Sequence, residues 1–104
     1  MNHPANVSTD ISIPEFQAVL ESPPESHCLL DVRTEKEFAH GHLPGSVNIP
    51  IAVLEPRLGE LPKDLPIIVV CHAGVRSAHA LEILASRGFQ NIRHLPGGLM
   101  RLTG

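Results

Sequence analysis

Residues 67–70 read Ile-Ile-Val-Val, an unbroken β-branched run, and lead into Cys71-His72-Ala73-Gly74-Val75-Arg76-Ser77. Branching at Cβ stiffens the side chain and suits extended backbone, and an apolar run that does not alternate suits a strand buried on both faces. Such strands occur where helices cover both sides of a parallel sheet, which narrows the chain to the α/β class. An amphipathic run follows from Ser77, with Ala78, Leu81, Leu84 and Ala85 expected on its buried face and Gly88 placed to end it. Cys71 thereby falls at the carboxyl end of a strand and Ser77 at a helix start, the edge of an open α/β sheet where ligands bind.

The rest of the chain repeats the alternation. Residues 1–8 form a polar start expected to be flexible, and Ile11 to Ile13 suit a brief strand. Pro14 fits the first turn of a helix through Phe16, Val19 and Leu20 toward the Pro23-Pro24 break. Cys28 to Val32 is a second strand, and Thr34 with Glu37 makes a capping box for a short helix, Glu35 to Ala39, that stops near Gly41. Val47 to Ile49 is a third strand. Residues 51–61 have near-helical apolar spacing interrupted by Pro56, so a broken or late helix is expected there. Ile67 to Val70 is the fourth strand, and Asn91 to Leu95 the fifth, before Pro96-Gly97-Gly98. The expectation is one three-layer α/β/α domain over residues 1–104, with a central, mainly parallel sheet of about five strands.

Composition excludes several classes of function. Eight Lys and Arg are scattered among eleven Asp and Glu, and three Phe with no Tyr or Trp provide no base-stacking platform, so nucleic acid is not an expected partner. No stretch approaches the ~20 apolar residues of a membrane span. The start Met-Asn-His-Pro-Ala-Asn does not resemble a signal peptide, which makes the cytosol the expected location. A reducing compartment argues against a disulfide between Cys28 and Cys71, and Cys28, opening an apolar run, is expected to be a small buried hydrophobe. Seven histidines, among them His72, His79 and His94, show no paired Cys/His spacing, so no metal is expected.

The segment around Cys71 has the makings of a reactive thiol. A helix N-terminus carries roughly half a positive charge and Arg76 adds a full one, and both favour thiolate over thiol. The same donors welcome an anionic substrate. Gly74 is read as letting the backbone curl around the sulfur where a Cβ would interfere. His72 is not needed as a general base for a thiolate stabilised in this way, and His79 is read as a solvated helix position.

Three ordered segments resemble the rhodanese-like (sulfurtransferase) family over nearly the whole chain. Leu30 to Phe38 followed by Gly41 to Pro50 looks like the family's first signature, Cys71 to Ser77 like its active-site loop, and Gly88-Phe89 through Leu95 to Gly98 like its closing signature. The resemblance implies a single-domain rhodanese fold and a Cys71 that forms a persulfide, with no cofactor. It implies a small anionic sulfur donor such as thiosulfate, bound by loop N–H groups from His72, Ala73, Gly74, Val75, Arg76 and Ser77. A protein sulfur donor or acceptor is the alternative partner, with Cys71 then acting as a carrier; one chain is expected to act as a monomer. Cysteine phosphatases of similar appearance place Arg six positions after Cys, whereas Arg76 lies five positions after Cys71, and the smaller ring resembles the sulfurtransferase form. Asp31, Arg33 and Glu37 are expected to support the site, with a charge-assisted bond between Arg33 and Glu37. One departure from the family pattern is Leu102, where many members carry an aromatic residue.

Overall fold

A computed structural model describes residues 9–102; the polar start at 1–8, expected from sequence to be flexible, lies outside the described residues. Helix α1, Ile13–Glu21, starts at a capping box the sequence reading passed over. Ser12 Oγ accepts the Glu15 N–H at 3.2 Å and the Glu15 carboxylate accepts the Ser12 N–H at 3.0 Å. With Pro14 also in the first turn, helix begins at Ile13. The strand expected at Ile11 to Ile13 is therefore reduced to an isolated parallel bridge between Asp10 and His94.

Among the described residues the sheet has four strands rather than five: β1 Cys28–Asp31, β2 Val47–Asn48, β3 Ile67–Val70 and β4 Ile92–His94, in the order β2-β1-β3-β4, all parallel. Both inner strands are buried along their whole length. Because side chains alternate across a strand, one face of the sheet carries Cys28, Leu30, Ile67 and Val69 and the other Leu29, Ile68 and Val70. Helix α3, Val75–Ser86, covers the first face with Ala80, Leu81 and Leu84, while Phe16 of α1 covers the second. This is the α/β/α layering expected. Leu102 packs half-buried against the second cluster.

Two local expectations are corrected. Helix α3 begins at Val75, not Ser77, because Gly74 takes a left-handed φ of +96° and serves as its N-cap. Its buried stripe is Ser77, Ala80, Leu81 and Leu84, with Ala78 and Ala85 exposed. At its other end Gly88 N–H bonds Ala85 O at 3.2 Å and Phe89 N–H bonds Leu84 O at 3.1 Å, the paired closure expected of a C′ glycine. Pro56 breaks residues 51–61 into two 3-10 segments, Ile51–Val53 and Glu55–Glu60, as its missing N–H requires. The short helix α2 spans Glu35–Ala39 with the Thr34/Glu37 box formed. Among the described residues no helix is long and apolar enough to cross a membrane.

Candidate active site

Cys71 follows the last residue of β3 and is 1% exposed. Its Sγ accepts the Gly74 N–H at 3.1 Å and the Ser77 N–H at 3.3 Å. Ser77 is the third residue of α3, the position whose N–H a capping side chain ordinarily satisfies, and Gly74 has no side chain to cap with. The cysteine sulfur takes the cap's place. Negative charge on Sγ is thus met by two N–H dipoles and by the positive end of a twelve-residue helix. Of the other residues expected to bind ligand, His72 and Ala73 are exposed, Val75 is 77% exposed, Arg76 is half-buried, and Ser77 is fully buried.

The closing Gly97-Gly98 pair turns out to be the wall behind this loop. Leu99 N–H bonds Cys71 O at 2.8 Å and Met100 N–H bonds His72 O at 3.1 Å, so the chain from Gly98 to Met100 runs directly against the loop backbone. A Cβ on Gly74 would stand 2.7 Å from Gly97 N. What Gly74 makes room for is therefore the neighbouring backbone rather than the sulfur expected from the sequence. A Cβ on Gly98 would overlap the His72 carbonyl.

The charged residues pair differently from expectation. Glu37 does not bond Arg33; it accepts two bonds from Arg76, at 2.6 Å to Nη1 and 3.0 Å to Nη2, joining α2 to the first turn of α3. The Arg76 guanidinium, with the Thr34 backbone N–H next in weight, pulls the Glu37 carboxyl from 4.5 down to about 2. In return the carboxylate raises the pKa of Arg76, with the charge of Cys71 a lesser contributor. Arg33 instead turns back on Asp31: Nε and Nη2 donate to its carboxylate at 3.0 and 2.7 Å, and Nη2 also reaches Gly41 O at 2.8 Å. Hydrogen bonding to Asp31 raises the pKa of Arg33. Asp31 is fully buried and pairs with Val70, the residue before Cys71, so this ion pair stiffens the strand end beside the loop.

The Glu37 pair has a pH signature. A carboxylate whose folded pKa is depressed adds stability that is complete above its unfolded value and lost as pH falls through the folded one. Here the window runs from about 4.5 down to about 2. Both side chains are about one-third exposed, 33% and 35%, so solvent screening limits the contribution to about 1 kcal/mol. Urea unfolding across this window should show Glu37→Gln losing less stability than the wild type; equal losses would detach the pair from acid stability.

Two shallow clefts meet at His72. One, about 310 Å³, has apolar walls from Leu43, Leu99, Met100 and Leu102 with Arg33 and His42 at its edge. The other, about 360 Å³, is bordered by Arg33, Thr34, Lys36, Glu37 and His40. A larger cavity, about 470 Å³, lies near the start of β1, is mainly apolar, and touches Cys28 rather than Cys71. Chemistry favours the smaller clefts, because both are lined by His72, the residue after Cys71, and by Arg33, with Lys36 bordering the second. Cys28 sits opposite Ile67 at the other end of the strands, about 13 Å along the sheet from Cys71 at ~3.3 Å per residue. That exceeds disulfide reach. Burial pushes the Cys28 thiol pKa up, as an inert core thiol requires. The sequence reading missed one residue at the site: His94, on β4, whose Nδ1 lies 2.8 Å from Ser77 Oγ. No local spacing signals a contact between a helix and a strand 17 residues apart in the chain.

With this geometry in hand, comparison with known proteins is specific. A family model for the rhodanese-like domain matches residues 12–103. The Bacillus subtilis "Putative sulfur carrier protein YrkF" is 35% identical over 95 residues, 91% of this chain and 51% of YrkF, so the chain spans about half the length of that relative. The thiosulfate sulfurtransferase GlpE of Shewanella oneidensis is 32% identical over 82 residues, 79% of this chain and 81% of GlpE. The solved structure of the human single-domain sulfurtransferase TSTD1 superposes with a TM-score of 0.83 at 25% identity, covering 92% of this chain and 96% of that one.

Proposed function

The chain belongs to the rhodanese-like domain family, and from that premise we propose that it moves a sulfane sulfur from thiosulfate or a similar donor to a thiophilic acceptor through a persulfide on Cys71. The observation that carries the reading is the sulfur of Cys71 held by the Gly74 and Ser77 N–H groups at the start of α3. In the loading step the Cys71 thiolate attacks the outer sulfur of thiosulfate. The donor's S–S bond breaks and its electron pair leaves with sulfite. In the discharge step cyanide or a thiolate attacks the terminal persulfide sulfur, and the bonding pair returns to Cys71. No proton is gained or lost over the two displacements; loading moves the negative charge from Sγ to the outer sulfur of the persulfide, one S–S bond further out, and discharge returns it to Sγ beside the Gly74 and Ser77 N–H groups. The remaining loop N–H groups, those of His72, Ala73, Val75 and Arg76, receive the donor's oxygens, while Asp31, Arg33 and Glu37 hold the surrounding backbone.

Intact-mass measurement tests this. Incubation with thiosulfate should add one sulfur atom, mapped to Cys71, and cyanide should remove it. Turnover of nitrophenyl phosphate in place of sulfur uptake would overturn the reading, since a loop with Arg five positions after Cys is too tight for a phosphoryl group. A carrier role is favoured by similarity to YrkF. Its distinguishing result is sulfur gained from a persulfidated cysteine desulfurase and none from thiosulfate. A reducing compartment such as the cytosol suits either role, because both work through a free thiol.

Arg76 is proposed to fix the loop by its two bonds to Glu37. Arg76→Ala should slow sulfur loading about tenfold, the cost of about 1.4 kcal/mol of positioning. Arg87→Ala should change the rate less than about twofold, because Arg87 pairs with Glu55 where both side chains are 54% exposed. Equal effects in single-turnover loading would remove Arg76 from the site.

A further inference from the structure

Behind Cys71 a row of polar side chains leads from the sulfur to the surface. Cys71 Sγ lies 3.5 Å from Ser77 Oγ, Ser77 Oγ lies 2.8 Å from His94 Nδ1, and His94 Nε2 lies 3.3 Å from Asp10 Oδ1. Cys71 is 1% exposed, Ser77 0% and His94 8%, whereas the Asp10 side chain is 61% exposed. A proton on the buried thiol has no direct contact with water, and this row ends at a solvated carboxylate.

We propose that His94 takes the Cys71 proton through the Ser77 hydroxyl, making the resting site a thiolate and an imidazolium joined by one serine. The inference rests on Cys71 being the sulfur-accepting nucleophile. The hydrogen bonds permit both states. In the thiol state S–H donates to Ser77 Oγ, and the Ser77 proton is shared between Gly74 O, at 3.1 Å, and His94 Nδ1. On ionisation the S–H bond breaks and a new O–H forms on Ser77, while the serine's former proton passes to Nδ1. Thiol plus neutral imidazole becomes thiolate plus imidazolium, with nothing else consumed. Ser77 then donates to the thiolate and accepts from Nδ1–H, and Nε2–H faces Asp10. The Asp10 carboxylate, bridged beside His94 at the sheet edge, and the thiolate beyond Ser77 hold the imidazolium. The ionisable groups around the ring are Asp10 from the segment before α1, Glu82 lining the same groove from α3, and Cys71 behind Ser77. Arg93, next in β4, is directed to Asp10 O and Glu15. His94 touches neither substrate nor sulfur, so its role is positioning a proton.

The chain has no Tyr or Trp, so ultraviolet absorbance reads thiolate directly, and a Cys28→Ala background isolates Cys71. In that background thiolate should form in two pH steps, as coupled groups do. His94→Asn keeps a hydrogen-bonding group near the Nδ1 position but binds no proton, so one step should remain and the thiolate fraction at neutral pH should fall about tenfold. Asp10→Asn should act in the same direction by about twofold to threefold, the scale of one partly exposed charge. The reciprocal measurement needs no change at His94: nitrogen NMR of the imidazole should show Cys71→Ser moving His94 proton uptake to lower pH, because the thiolate partner is gone. An unchanged absorbance titration in folded His94→Asn overturns the relay. So does an unchanged His94 titration in Cys71→Ser, which decides the matter if His94→Asn does not fold. Sulfur loading by mass separates the two levels: loading without coupling sinks the relay alone, and coupling without loading sinks the sulfur-transfer reading alone.

Discussion

Cys71→Ser will leave the chain folded and unable to take up a sulfur atom. The substitution keeps the volume of the loop floor nearly constant and leaves an oxygen to accept from the Gly74 and Ser77 N–H groups, which now bond Sγ at 3.1 and 3.3 Å. Lost hydrogen-bond quality costs about 1 kcal/mol, within the margin of an ordinary domain. The chemistry goes entirely. A serine hydroxyl at neutral pH is neither ionised nor soft, so it does not attack sulfane sulfur. Intact mass after thiosulfate should therefore be unchanged in Cys71→Ser, while Cys28→Ala, altered at the far end of the sheet in an inert core position, should load like the wild type. Sulfur uptake by Cys71→Ser, or its loss in Cys28→Ala alone, would assign the reaction to the wrong thiol.

The second large effect comes from a residue with no reactive group. Gly98→Ala puts a methyl group onto the His72 carbonyl and the Ala73 N, both backbone, at a φ of +74° that L side chains rarely adopt. A flexible side chain could step aside; the loop backbone cannot without breaking the Leu99 N–H to Cys71 O and Met100 N–H to His72 O bonds. Strained φ costs about 1–2 kcal/mol. The clash and the broken bonds bring the expected loss to about 4 kcal/mol, in the range tied to a named structural fault. Sulfur loading should fall more than about tenfold even where the variant remains folded, because the loop that carries Sγ is the part displaced. Gly59→Ala, at an ordinary φ with nothing within 4 Å of the new Cβ, should change stability by less than about 0.5 kcal/mol. Denaturant midpoints for the two variants check the contrast, and matching midpoints would mean the loop wall yields freely.

Features encoded over a few residues were legible in advance. The β-branched run at 67–70, the Thr34/Glu37 box and Gly88 at the end of α3 each act through neighbours one to four positions away, and each is found as read. The strand expected at Ile11 to Ile13 failed for a local reason as well, since the Ser12/Glu15 box competes for the same residues. Small apolar residues fit either side of a helix, so spacing alone puts Ala78 and Ala85 on the buried face; packing on the sheet buries Ser77 and Ala80 instead.

The partners of Glu37, Gly98 and His94 were not legible. Glu37 bonds a residue 39 positions away and Ser77 meets His94 across 17. Such contacts depend on which strands lie side by side, and a backbone spacing of a few residues carries no information about that order.

Side-chain periodicity and helix capping are local physics, so residue order alone specifies the α/β class, the place of Cys71 at a strand end before a helix, and the five-residue interval to Arg76. The folded packing adds that Arg76 is held by Glu37, that the Gly97-Gly98 backbone walls the loop, and that Ser77 connects the sulfur to His94. Those contacts exist because the order β2-β1-β3-β4 brings the carboxyl ends of β1, β3 and β4 to one edge, where groups remote in the chain must satisfy one another's charges and hydrogen bonds.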